Sequence, residues 1–406
     1  MKLYNNMEPT EENIKKAYTE DLLGRKDDVD KFAAFLKEEY CPVSVAVDGE
    51  WGSGKTFFVK QVAYRLDEDP LDDPKKCLTV YYDAWKNDND CDPILSIVDC
   101  IARAAEKKKG ISVGAIMADI LDIAAEGLNN PSLRWNQVFR DKNPKHDTKS
   151  DFSHYETEPI NKQVENKLKE IYDSIIKKPD ERLIIFVDEL DRCKPDFVVS
   201  VLERIEHYIS LDNRVRIVFS VNRKQLEHII RDYYGDNFDA ENYLKRFLIS
   251  STKIPEADVL KYISPYDTQQ KYLLKIDMLE EIIRYFGIQV REINAFMSAL
   301  VSARERAQKE RAIRGFDLNR IMEDVFPVLL AEKFTNSEDY EILIRGEGTK
   351  ILESFWKDGL GCSESELENN MNMYLSVFSK PGTALCVDHT YAKEDILFYL
   401  TKPFGV

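Results

Sequence analysis

Gly49-Glu50-Trp51-Gly52-Ser53-Gly54-Lys55-Thr56 decides how the rest of this 406-residue sequence is read. It fits G-x-x-x-x-G-K-[ST] at every specified position. Before it stands a β-branched run, PVSVAVD at residues 42–48; after it come residues 57–66, FFVKQVAYRL, with a helical character. A strand that turns through glycines into a helix gathers backbone N–H groups and the positive end of the helix dipole at one point, which is how phosphates are cradled. Gly49, Glu50, Trp51, Gly52, Ser53, Gly54, Lys55, Thr56 and Phe57 are therefore the candidate nucleotide-contacting residues. Lys55 is expected to reach the β- and γ-phosphates, and Thr56 to ligate magnesium through its hydroxyl. A glycine-rich turn matching by chance would not carry the flanking strand and helix as well.

Outward from the loop, short apolar runs recur: CLTVYYD at Cys77–Asp83, RLIIFVD at Arg182–Asp188, VRIVFSV at Val215–Val221 and a last strand at residues 247–254. Helical stretches at 93–107 and 198–209 separate them. Strands alternating with helices predict an α/β fold: a P-loop NTPase parallel sheet with helices on both faces, followed by a mainly helical C-terminal region. The expected organisation is a nucleotide-binding domain over residues 1–260 with a charged insertion at about 110–165, a lid-like helical domain over 261–333, and a helical region of unknown role over 334–406. Residues 8–40 read as helical, with Asp27, Asp28 and Asp30 near a helix start, where acids suit the dipole. Residues 129–159 are polar and contain Pro131, Pro144 and Pro159, as a long loop does. Residues 111–128 carry Asp119, Asp122 and Glu126, so they read as a buried or partner-facing helix and not a membrane span.

A second constellation ends the most apolar strand: Ile184-Ile185-Phe186-Val187-Asp188-Glu189. Acids at the carboxyl end of a buried strand stand where open α/β sheets bind ligands. Asp188 is the expected magnesium partner, through water, and Glu189 the base that polarises an attacking water. Two solvated acids at a strand end would be the bland reading; the loop at Gly49 makes it the weaker one. Asp191 and Arg192 follow, either to fix the geometry of Glu189 or to face a partner. Asn222, with Ser220 behind it, is a candidate γ-phosphate sensor or an ordinary turn asparagine. Arg246 is a candidate arginine finger acting in trans, or a surface arginine.

Together these parts resemble the KAP family of P-loop NTPases, within the STAND-like and AAA-like group, over about residues 18–300. The resemblance rests on Asp21-Leu22-Leu23-Gly24-Arg25, the aromatic-bearing loop at Trp51, Tyr82-Asp83-Ala84-Trp85-Lys86, Asp188-Glu189-Leu190-Asp191-Arg192-Cys193, Tyr243-Leu244-Lys245 and Val290-Arg291-Glu292-Ile293. It implies that Arg25 lies near the adenine and that Arg291 approaches the γ-phosphate from the helical domain. Many relatives insert membrane helices between the loop and the acid strand; the charged insertion here implies a soluble member. Relatives often show two aspartates where this chain has Asp188-Glu189, and an aspartate where it has Asn222. Similarity to proteins of phage exclusion implies a possible setting in bacterial anti-phage defence.

Composition bounds the alternatives. The net charge of −16 argues against a broad nucleic-acid surface, while leaving room for a local basic patch. Seven cysteines without C-x-x-C spacing suit a reducing compartment, and no apolar leader opens the chain, so the expected location is cytoplasmic. The expectation is a soluble Mg-ATP hydrolase whose nucleotide state drives an assembly or conformational switch, acting as a homo-oligomer or with a partner protein. The alternative is an ATP-binding signalling scaffold with little or no turnover. A small-molecule kinase fits less well with Glu189 and a long helical C-terminus. Arg304, Arg306, Lys309, Arg311 and Arg314 read as a solvated helix face.

Overall fold

A computed structural model describes residues 8–378, apart from 71, 72, 74, 90, 91, 115, 121–159, 211, 269–274 and 311–320. Five strands, β1 (Ser44–Asp48), β2 (Cys77–Asp83), β3 (Arg182–Asp188), β4 (Val215–Val221) and β5 (Ser250–Lys253), form one sheet in the order β2-β3-β4-β1-β5. Every neighbouring pair is parallel. All seven residues of β3 and of β4 are buried, which is why both read as unbroken apolar runs: helices cover both faces. The edge strand β5 is SSTK and mostly exposed. It is shorter than residues 247–254 suggested. The Phe247 and Leu248 N–H groups both bond to the Leu244 carbonyl, so this pair finishes the preceding helix and buries there.

The two-residue period of the strands sorts their side chains between two cores. Val45, Val47, Ile184, Phe186 and Val218 pack against Val29 and Leu36 of α2 (Lys26–Lys37), which follows α1 (Glu11–Thr19), and against Phe58, Val59 and Val62 of α3 (Lys55–Asp67). Ala46, Leu183, Ile185, Ile217 and Phe219 face the other way. They meet Ile97 and Ile101 from the helix Pro93–Lys109, Val198 and Leu202 from Pro195–Arg204, and Leu226 and Ile230 from Arg223–Tyr234. Both ends of the expected insertion at about 110–165 join this second core and so belong to the domain proper: Val113, Met117 and Ile120 at its start, Val164 at its end, with Leu168 and Ile171 just beyond. The polar segment 129–159 and residues 121–128 lie outside the described residues.

The helical C-terminal region has its own apolar core, running from Val259 to Phe378 and including the fully buried Phe296 and Trp356. Residues on both sides of position 333 share it. One expectation is corrected here. Arg304 is not on a solvated face but 7% exposed, and burial lowers its pKa while Glu323 and Asp324 nearby support its charge. Among the described residues, no helix is long and apolar enough to cross a membrane.

Candidate functional site

The loop 49–54 leaves β1 at the carboxyl edge of the sheet and enters α3 at Lys55. Gly52 has φ +83° and Gly54 has φ +91°, both left-handed, where a Cβ costs energy. The glycines also make room. A Cβ on Gly49 would stand 2.6 Å from Ile254 Cγ2, and one on Gly52 would stand 2.9 Å from Gln289 Cβ. No side chain caps α3, so the N–H groups of its first turn remain available as donors. Lys55 is 8% exposed, and its ammonium donates to the Gly49 carbonyl at 2.7 Å and the Glu50 carbonyl at 3.1 Å. Burial lowers its pKa, while Asp191, Asp188, Glu189 and Asp48 around it favour the charged form.

The acids stand opposite. Asp188, 1% exposed, accepts the Tyr81 hydroxyl at 2.8 Å and the Glu189 N–H at 3.0 Å. The β2–β3 register sets Asp83 beside Asp188 and places Tyr81 two residues back on the neighbouring strand. Glu189 has φ +61°, an uncommon conformation for a residue with a side chain. That turn brings its carboxylate within 3.5 Å of the Thr56 hydroxyl. The same carboxylate pairs with Arg192, whose guanidinium lies 5.5 Å from the exposed Trp85 ring centroid. Burial, with Asp188 beside it, raises the Glu189 pKa, and Arg192 opposes that rise.

Asp191 is one of the residues whose role the sequence leaves open. It is 3% exposed and joins two parts of the site. Its Oδ2 accepts the Trp51 indole N–H at 2.7 Å and the Asn222 backbone N–H at 3.0 Å, tying the loop to the end of β4. Asp191→Ala leaves the Asn222 N–H without its acceptor, which costs about 1–3 kcal/mol. The expected result is a lower urea midpoint, with a smaller loss in Asp191→Asn, which keeps an acceptor oxygen.

The remaining candidates divide. The Arg25 side chain, 5% exposed, donates to the Ser53 carbonyl at 3.0 Å, so it braces the loop directly; burial lowers its pKa to about 10. Arg291 comes to the loop from the helical region: its backbone N–H bonds to the Gly52 carbonyl at 3.2 Å, and its side chain is exposed. Asn222 Oδ1 accepts the Gln225 N–H at 3.2 Å and caps the following helix. Its neighbour Arg223 donates its N–H to Asp48 at 2.9 Å, fastening the β4 end to β1. Arg246 pairs with Glu206 at 3.5 Å and is exposed. The Phe247 carbonyl next to it accepts Ser44 Oγ at the start of β1, so Arg246 stands at the opposite edge of the sheet from the loop. Phe57 follows Thr56 in the first turn of α3 and is half-buried.

A profile of the KAP family P-loop domain matches residues 29–305. The chain belongs to the KAP family of P-loop NTPases. No curated protein matches it in sequence. Among solved structures it is similar to the Aeropyrum pernix ORC2 protein. For the ADPNP–ADP complexes the TM-score is 0.36 at 14% identity, covering 93% of this chain and 86% of the other. For the ADP form it is 0.34 at 12% identity, covering 93% of each chain. The residues of this KAP chain suit a magnesium nucleotide. The glycine cradle admits no Cβ without displacement, the first-turn donors of α3 have no side-chain cap, and the Glu189 carboxylate faces Thr56. Ser220, set between Asp188 and Val47 by register, is fully buried, and its hydroxyl has no hydrogen-bond partner among the described residues.

Sequence reasoning overlooked Tyr81, Asp48 and Gln289. Tyr81 lay next to a quoted box, and an acid at the end of β1 was a visible signal for Asp48. Nothing local marked Gln289.

Proposed function

We propose that this KAP-family chain hydrolyses Mg-ATP at the loop and uses the cycle to reposition its helical region. The observation that carries the reading is the Glu189 carboxylate within 3.5 Å of the Thr56 hydroxyl, beside Asp188. Bound Mg-ATP supplies the γ-phosphoryl group and the cation that offsets its charge. Lys55 exchanges the Gly49 and Glu50 carbonyls for phosphate oxygens. Thr56, through its hydroxyl oxygen, and Asp188, itself held by Tyr81 and the Glu189 N–H, would be the residues that hold that cation. Glu189 accepts the proton of the attacking water. Arg291, anchored at Gly52, brings a cation from the helical region to the loop, so loss of the γ-phosphate changes a contact between the two parts.

On this reading residues 259–378 move as one helical body. The chain also works, on the same reading, as a homo-oligomer or with a partner protein, and Arg246, exposed and away from its own loop, is the residue that would be offered to a neighbouring subunit's nucleotide. Solution mass measured with and without Mg-ATP tests the switch. The expected result is an ATP-dependent change in mass or shape, retained in Glu189→Gln. Arg291→Ala should bind ATP yet lose most of that change. An Arg291→Ala protein that responds like the wild type contradicts this coupling.

The alternative, a scaffold that turns ATP over slowly, draws on the Glu189–Arg192 ion pair, since a guanidinium beside a base weakens it. Sustained ATP occupancy of the wild type without phosphate release supports that reading.

A further inference from the structure

We propose that the helical region holds a second ligand site, a cleft that takes a small organic cation with a primary ammonium or guanidinium group. The cleft measures about 390 Å³, inside the ordinary range for small-molecule sites. One wall is aromatic, from Tyr285 and Phe286 on the helix end that follows Ile276; Ile351 supplies an apolar surface and Ser354 a hydroxyl. Two carboxylates line it, Glu332 and Asp339.

Glu332 is the deciding residue. It is 4% exposed and yet lines the cleft, and among the described residues no hydrogen bond or ion pair reaches its carboxylate. Among the described residues Asp339 is engaged on one side, by Asn336 Nδ2 at 2.6 Å. Lys333, next to Glu332, turns away to lie 5.9 Å from the Tyr340 ring centroid. Burial, with the charge of Asp339 beside it, pushes the Glu332 carboxyl up to about 7. A carboxylate with so little access to water and no partner among the described residues ionises at a cost, which a cation seated in the cleft offsets.

The lining chooses among cations. Hard divalent ions ask for six or more oxygen ligands, and no group of three or more His, Cys, Asp or Glu residues that could hold a metal occurs among the described residues. An aromatic wall beside carboxylates instead suits an alkylammonium or guanidinium. Its charge meets Glu332 and Asp339, while its apolar stem lies on Ile351 and the ring faces. The volume suits a free small molecule better than a folded partner's surface.

The test is calorimetric titration of the full chain without nucleotide, near pH 8. The probes are butylamine and butylguanidine, with butanol and butylurea as neutral counterparts. The cations are expected to give saturable binding and the neutral compounds none. Glu332→Gln should weaken binding at least tenfold. It removes a largely buried charge that has no partner among the described residues, so this variant is expected to fold as well as the wild type. Tyr285→Ala, at an exposed position, should also weaken binding. Equal binding of neutral probes, unchanged affinity in Glu332→Gln, or no saturable binding at millimolar probe overturns the proposal. Tighter binding of acetyl-Gly-Arg-Gly-amide than of butylguanidine would instead assign the cleft to a protein side chain. No nucleotide enters the titration, so failure here leaves the hydrolase reading untouched.

Discussion

Glu189→Gln is expected to lower ATP turnover by about 10²–10⁴-fold, the usual contribution of a positioned general base, while ATP binding survives. Glutamine keeps the size of the side chain and an oxygen near the Thr56 hydroxyl, but it cannot accept the proton of water at neutral pH. Binding is spared because the phosphate contacts come from the loop, from Lys55 and from the first turn of α3. Rapid-quench phosphate release and equilibrium nucleotide binding, run on the same preparations, separate the two effects. If both fall together, Glu189 supports the fold of the site and is not its base. The wild type adds a pH signature. Burial and Asp188 raise the Glu189 pKa above 4.5, and the base works only when ionised. Turnover should therefore fall as pH drops through that raised pKa, and the residual turnover of Glu189→Gln should lack that limb.

Lys55→Met should affect binding and turnover together. The ammonium is buried and its pKa is lowered by that burial, yet four carboxylates around it keep the charged form favoured. Two charge-assisted contacts to phosphate, at about 1.5–3 kcal/mol each, give a loss of roughly 10²–10⁴-fold in kcat/KM. Methionine fills most of the same volume, so the fold should persist, and circular dichroism checks that it does. Unchanged nucleotide affinity in a folded Lys55→Met protein would remove Lys55 from the phosphate site.

Legibility in the sequence followed distance along the chain. The loop reads itself because its chemistry is contiguous: glycines, lysine and threonine act within eight residues, between a strand and a helix. β3 and β4 were visible because burial on both faces demands uninterrupted apolar residues. The order β2-β3-β4-β1-β5 was not visible, since periodicity says which residues are buried and not which strands are neighbours. Tyr81 meets Asp188 from 107 positions away, and Trp51 meets Asp191 from 140, so neither partnership has a local signal. Asn222 shows the same limit. Its position at the end of β4 allowed either a sensor or a turn residue, and only the capping bond to Gln225 shows how its oxygen is engaged. Arg304 was misread because a run of mixed charges suggests a wet helix face, whereas acids from a later segment support it inside.

Phosphate release from Mg-ATP, measured for the wild-type chain beside Lys55→Met and Glu189→Gln, decides whether the nucleotide is hydrolysed at this loop. Steady release by the wild type, loss of release in both variants, and retained ATP in Glu189→Gln alone are expected. Equal release by all three proteins, or none from the wild type in any assembly state, would contradict hydrolysis there.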